Sequence, residues 1–449
     1  MVSASVMWFR RDLRRHDNPA LLAAAEAGEC VPLFVVDPAL WERAGAVRRA
    51  YLVASLRALD ESLGGALVVR TGDPREVVPA VAEEVSAASV HAAADYAPYG
   101  AARDVEVGAA LAEQGAQLQL LGSAYAVAPG RVLSGGGTPY KVYSAFQRSW
   151  ADHGWRAPVD APPRTRWRGL ASEGLPDAPP PEGCTPPASG EEAARHAWAD
   201  FLDGRVDAYD EDRNRPDIDG ASGMSTYLRW GEIHPRTMLA DLGRLTGDGA
   251  ATYRKELAWR EFYADVLFAR PETAREYLRP EFAKMEYDDP AGDFDAWREG
   301  RTGFPVVDAG MRQLLGTGWM HNRVRMIVAS FLVKDLHVEW QHGARHFMRW
   351  LVDGDLASNQ HNWQWVAGSG TDAAPYFRVF NPTTQGRKFD PEGNYVRRWV
   401  PELAHLPGPT VHEPRSVDGY PAPIVDHAAE RHEALARYDE VRARTAAAG

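Results

Sequence analysis

At 449 residues the chain is several times longer than a minimal domain, so at least two sizeable cores are expected. Fifty basic against sixty-two acidic side chains leave a net charge of -12, which excludes a histone-like or tail-driven nucleic-acid binder. Two cysteines, Cys30 and Cys184, cannot build a disulfide framework or a cysteine zinc site. No apolar run approaches membrane-spanning length and no secretory leader pattern opens the chain, so a cytoplasmic protein without a membrane segment is expected.

Taken in chain order, the first 125 residues alternate short apolar runs with Ala-rich amphipathic stretches. Ser5 to Phe9, Val31 to Val36, Ala66 to Arg70, Ser89 to Ala94 and Gln117 to Leu121 read as buried strands, with helices beginning near Ala20, Arg48, Pro74 and Gly100. Continuous rather than alternating apolar strands predict a parallel sheet covered on both faces, hence a doubly wound α/β domain over 1–127. Neither GxGxxG after the first strand nor GxxxxGK[ST] occurs, so neither common nucleotide fingerprint is available. Residues 128–195 have connector composition: three consecutive glycines at 135–137 and nine prolines between Pro158 and Pro187, interrupted by a helix-like segment, Tyr140 to Trp150. From 196 to 449 apolar positions recur at three and four, predicting an all-α domain with buried aromatics and a final Ala-rich helix.

Several clusters in the helical half carry chemistry. In KELAWREFY, Glu256, Trp259 and Arg260 fall on one helical face, which places an acid, a large ring and a guanidinium together or else forms a Glu–Arg pair on a solvated face. In GWMHNRVRM, Asn322, Arg323, Arg325 and Met326 open a helix that continues into ASFLV. The Asn and two Arg need partners there, or serve only as polar residues at a helix start. DGDLASN offers Asp353 and Asp355 with Asn359 beyond; the spacing fails as a calcium loop, because its sixth position is Ser358 and its twelfth is Gln364. Trp363 and Trp365 flank Gln364 and face opposite sides of a helix, one able to touch a buried ligand while the other lines a cleft, or both simply packing a Trp-rich core. His342 and His346 have i, i+4 spacing with Gly343 between them, which fails as a zincin, so no metal is expected.

MWFRRDLRRHDNPAL, KELAWREFY, TGFPVVDAGMRQLLGTGWMHNRVRM, FLVKDLHVEW and DGDLASNQHNWQWVAGSGTDAAPYFRVFNPTTQGRKFD together resemble the photolyase/cryptochrome family, most closely a class I cyclobutane pyrimidine dimer photolyase, in collinear order over nearly the whole chain. The resemblance implies an α/β antenna domain, a connector and a helical domain holding FAD. It assigns Tyr209, Ser222, Ser225 and Arg260 to the FAD diphosphate and nearby groups. Asn322 and Asp355 go to the isoalloxazine and ribityl, Asp353 to a pair with Arg325, and Asn359 to the flavin N5. The stretch GASGMSTYL departs from the family's more usual GTSRLSPYL at 221, 223 and 226, and conservatively at 224. Glu256 matches the acid that hydrogen-bonds a flipped-out dimer, Trp259 and Trp365 the rings that pack on it, and Asn322, Arg323 and Met326 the remaining wall. Trp363 and Trp340 match the first two members of an electron-transfer chain; the third position holds Tyr287, a departure.

The resemblance thus implies light-driven repair of dimers in damaged DNA by a monomer. The alternative is a cryptochrome-like photoreceptor that keeps FAD but signals to a partner. A (6-4) photolyase would show paired His where His321 is followed by Asn322. Folate-binding members carry an acid where Gly100 stands, so the expected second chromophore is 8-hydroxy-5-deazaflavin ahead of folate or FMN.

Overall fold

The computed structural model describes residues 4–290, 292–371 and 378–448. Of the motif TDAAPYFR, residues 372–377 therefore lie outside the described residues. The chain divides into two compact units whose boundaries differ from the linear division above: residues 1–181, 187–207 and 222–271 form one, and 182–186, 208–221 and 272–449 the other.

The first unit is built on five parallel strands, β1 (Ala4–Phe9), β2 (Glu29–Val36), β3 (Val68–Thr71), β4 (Ala87–Ala94) and β5 (Gln117–Ser123), in the order β3-β2-β1-β4-β5. Register pairs Val6 with Val31 and with Val90, so the central strands stack their apolar residues into one core with Trp8, Leu33 and Val68. Helices α1 (Pro19–Ala27), α2 (Ala46–Ser62), α3 (Pro74–Glu84) and α4 (Pro98–Glu113) make the crossovers. Asn18 and Asp73 cap α1 and α3 through side-chain oxygens, each followed by Pro at the first helical position, where a missing N–H costs nothing. β5 differs from expectation: it is an edge strand with most residues exposed, paired on one side only. The opposite edge is covered by the connector, where Glu173 N donates to Val69 O at 2.9 Å and Val69 N to Ser172 Oγ at 2.9 Å. The connector's helix is α5 (Tyr143–His153). The long helix α6 (Asp248–Ala269) belongs to this unit and grips the connector's start: buried Glu261 accepts from Val127 N at 3.0 Å and Trp150 Nε1 at 2.6 Å, and Asp265 from Gly130 N at 2.7 Å.

The second unit is helical and its core runs through α7 (Pro305–Thr317), α8 (Asn322–Lys334), α9 (Trp340–Trp350) and α10 (Leu356–Ala367), closed by the final helix α11 (His427–Ala448). Phe331, Trp340, Trp297, Trp363 and Tyr395 are buried together there, so most of the Trp-rich half is core.

Candidate flavin and lesion site

The start of α8 sets one wall of a cavity in the helical unit. His321 caps that helix, its Nδ1 accepting from Arg323 N at 3.2 Å; burial pulls its pKa down to about 4, which keeps the ring a neutral acceptor. One turn on, Arg325 donates to Met320 O and to Asp353 Oδ2, each at 2.7 Å, so the DGD turn is tied to α8 by an ion pair whose carboxylate is buried. Asp355 caps α10 by accepting from Ser358 N at 3.1 Å, and Asn359, one turn along, donates to Ala344 O at 3.1 Å and to Gln360 Oε1 at 2.8 Å. Trp363 follows another turn later. Gly343 makes its room: a Cβ there would sit 2.1 Å from Trp363 Cη2. The outcome is a cavity of about 540 Å³, counting its open mouth, lined by Asn322, Arg325, Met326, Asp353, Asp355, Asn359 and Trp363 with apolar Phe347 and Val366.

This lining fits an extended heteroaromatic group carrying polar edges. Apolar walls alternate with an amide, a carboxylate and a guanidinium, and Trp363 Nε1 is a buried donor with no acceptor among the described protein atoms. An unmet buried donor costs about 1–3 kcal/mol, and at a cavity wall a ligand is one way to meet it.

The remaining assigned residues are distributed as follows. Arg323 does not line that cavity: its guanidinium donates to Asn214 Oδ1 at 2.6 and 3.2 Å and lies 4.4 Å over Phe389, with burial lowering its pKa. Trp365 is half-buried against the helical core while Trp363 is 2% exposed, the split that their offset around the helix demands. Tyr209 is half-buried with Arg213 stacked 6.0 Å from its ring. In the first unit, α6 carries half-buried Glu256, Trp259 and Arg260. Arg260 donates to Ala124 O at 2.9 Å and Leu228 O at 3.3 Å and covers the Tyr125 ring. Ser222 Oγ pairs with Tyr253 OH at 2.7 Å, and Ser225 is exposed at the start of its helix. Among the described residues no group of three His, Cys, Asp or Glu could hold a metal; His342 and His346 pack their rings edge-on to Phe294.

Sequence reading missed three positioning groups. Tyr143 of α5 stacks on Trp259 with centroids 3.5 Å apart and planes at 6°, fixing that ring's orientation. Buried Gln364 ties α10 to the 273–278 segment: it accepts from Leu278 N at 2.7 Å and donates to Thr273 O at 3.2 Å. His361 beside it bridges Thr273 Oγ1 at 3.0 Å and Ala357 O at 2.8 Å. The one available signal was Gln between two tryptophans, a polar side chain set in an apolar run.

A second concavity, about 310 Å³ with its mouth, opens in the first unit at the carboxyl ends of β1, β4 and β5, where the strand order reverses. Arg10, Arg11, Asp12, Asp95, Tyr96 and Tyr125 line it. Arg10 and Arg103 stack on Trp8 at 4.5 and 4.9 Å, both pair with Asp104, and four nearby groups hold the Asp95 carboxyl low: the guanidinia of Arg11, Arg10 and Arg103 and the Ala97 N–H, all against its burial.

The FAD-binding domain of DNA photolyase matches residues 253–440, and the DNA photolyase family matches residues 5–164. A deoxyribodipyrimidine photo-lyase of Streptomyces griseus is 43% identical, over 98% of this chain and 99% of its own length. A class III photolyase of Agrobacterium tumefaciens superposes with a TM-score of 0.92 at 38% identity, covering 98% of both chains, and a cryptochrome of Synechocystis with 0.88 at 28%, covering 96% and 98%. The chain belongs to the photolyase/cryptochrome family. Its helical half is that family's FAD-binding domain, and its class I likeness in motif stands beside a class III relative in structure.

Proposed function

We propose that the protein is a deoxyribodipyrimidine photo-lyase that uses light to split cyclobutane pyrimidine dimers in DNA. One observation carries this: residues from two segments of the sequence, Asn322 and Arg325 in GWMHNRVRM and Asp353, Asp355, Asn359 and Trp363 in DGDLASNQHNWQW, line a single cavity whose polar and apolar walls suit a flavin. Bound there, FAD supplies the light absorption and the electron. The chain's own residues position and protect. The Arg325–Asp353 pair fixes the DGD turn, Asp355 and Asn322 present polar edges, and Asn359 offers a neutral amide at the ring. Tyr209, Ser222, Ser225 and Arg260 hold the diphosphate end. Glu256 hydrogen-bonds the damaged bases, Trp259 and Trp365 supply stacking faces, and Asn322, Arg323 and Met326 complete the wall; a flipped base needs such surfaces to offset its unstacking, a few kcal/mol. Trp363, Trp340 and Tyr287 carry electrons inward. The crevice at the strand ends takes the second chromophore, with 8-hydroxy-5-deazaflavin first.

Reduced protein illuminated with dimer-containing oligonucleotide is expected to restore thymine absorbance, with no change in the dark. Bound flavin without restored absorbance would contradict the repair reading and favour the alternative, a signalling photoreceptor, to which the likeness to a cryptochrome structure lends its weight.

A further inference from the structure

We infer that Tyr277, with Glu339 as its proton acceptor, is the step at which the oxidising equivalent leaving Trp340 comes to rest before it reaches Tyr287. This deepens the electron-transfer part of the proposed function and rests on it. Trp363 is 2% exposed and Trp340 0%, and no acceptor among the described protein atoms reaches either indole Nε1. An oxidised indole that cannot shed its proton stays a cation and readily takes an electron back or passes the hole on. Trp297 also meets Trp363 edge-on, at 6.3 Å, but its N–H donates to Val328 O at 2.9 Å, a carbonyl too weakly basic to take a proton, and the ring is 0% exposed. That branch offers no place for the charge to settle.

Tyr277 is built differently. Its ring lies perpendicular to Trp340 with centroids 5.8 Å apart, and its hydroxyl donates to Glu339 Oε1 at 2.8 Å. Glu339 directly precedes Trp340 as the N-cap of α9, so one turn of chain holds both the electron acceptor and the proton acceptor for this phenol. The hydroxyl of Tyr287, half-buried, is a hydrogen-bond neighbour of Tyr277 and gives the hole a path outward.

The step balances without further reagents. An oxidised flavin held by the cavity would, under light, supply the one-electron oxidant; Trp363 would give up the electron and recover it from Trp340. Tyr277 then gives one electron to the Trp340 cation and its phenolic proton to the Glu339 carboxylate. A closed-shell Trp340, a neutral tyrosyl and a carboxylic acid remain. Burial and the Glu339 and Tyr287 neighbours push the Tyr277 pKa far up, so ionisation before oxidation is disfavoured and the two transfers are coupled.

The test is laser-flash absorption with electron paramagnetic resonance on the full, oxidised, FAD-loaded chain, beside Tyr277→Phe and Glu339→Gln. Bound-flavin spectra in the dark report that each variant is folded. In the parent a tyrosyl signal should replace the tryptophan cation. In Tyr277→Phe, which has no phenol to give up an electron and a proton, that cation should live roughly tenfold longer or more, about 1.4 kcal/mol on the barrier. Glu339→Gln keeps shape and hydrogen bond but loses the base, so it should slow tyrosyl formation and change its dependence on heavy water even if the Phe variant folds poorly. An unchanged tryptophan decay in either variant overturns the inference while leaving the chain through Trp363 and Trp340 intact. Absence of any tryptophan cation in the parent would overturn that chain and the inference with it.

Discussion

The two concavities both set arginines beside carboxylates, and they differ in how many such charges each brings together. At the strand ends, Arg10 and Arg103 both pair with Asp104, Arg103 also lies near Asp95, and both guanidinia pack on Trp8, so several charges of the crevice meet one another. In the helical cavity one ion pair, Arg325–Asp353, holds the turn, and the buried N–H of Trp363, a lining residue, has no acceptor among the described protein atoms. Each leaves a buried polar atom without a hydrogen-bond partner among the described residues, Asp104 Oδ2 beside the crevice and Trp363 Nε1 beside the cavity, so the two differ in how far their charges balance one another and not in whether a group is left for a ligand.

Breaking the single ion pair should have the largest effect. Arg325→Ala leaves the buried Asp353 carboxylate without its guanidinium, and loss of one partner of a buried pair costs about 3–5 kcal/mol; the partial exposure of Arg325 puts the expected loss near the lower end. Urea unfolding monitored at the helical signal should report it, and an unchanged midpoint would mean the turn is held elsewhere. Next comes packing. Gly343→Ala drives a methyl into Trp363, so about 1–3 kcal/mol of overpacking is expected together with an altered tryptophan emission.

A smaller and sharper contrast lies in the crevice. Gly100 sits in α4, where helix propensity alone makes Gly→Ala stabilising by about 1 kcal/mol. The new Cβ would lie 2.1 Å from Asp95 Oδ2, so Gly100→Ala is expected to lower the thermal midpoint instead. A raised midpoint would show that Asp95 moves freely and that its charge network is loose.

The last effect appears only on acidification and is absent at neutral pH. Burial depresses the His361 pKa from 6.5 to about 4, so the folded state binds fewer protons than the unfolded one between those values. Its contribution is therefore complete above about 6.5 and is lost as pH falls towards 4, with a slope of up to about 1.4 kcal/mol per pH unit. The difference in stability between the parent chain and His361→Gln should shrink across that window on acidification; a difference independent of pH would mean that His361 titrates normally.

How far these contrasts could be read in advance depends on where the information sits. Strands announced themselves because buried parallel strands are continuously apolar, and β5 misled because its Leu118, Leu120 and Leu121 look buried although an edge strand leaves Leu120 exposed. The opposite orientations of Trp363 and Trp365 followed from helical geometry alone. Partners distant in sequence left no such trace. Tyr143 meets Trp259 across more than a hundred residues, and Tyr277 meets Glu339 across about sixty, so neither pairing has a local period. The division of the assigned residues between units was equally hidden: Tyr209 and residues 272 onward fall in the helical unit, whereas Ser222, Ser225 and Glu256 to Arg260 fold with the sheet.

Visible absorption spectra of the chain purified beside Asp353→Asn and Asp104→Asn test the central contrast most directly. Flavin bands should be present in the parent, survive in Asp104→Asn, where only the crevice network is disturbed, and be lost or strongly reduced in Asp353→Asn. Equal flavin content in Asp353→Asn and the parent, or selective loss in Asp104→Asn, would contradict the assignment of the helical cavity as the flavin cradle.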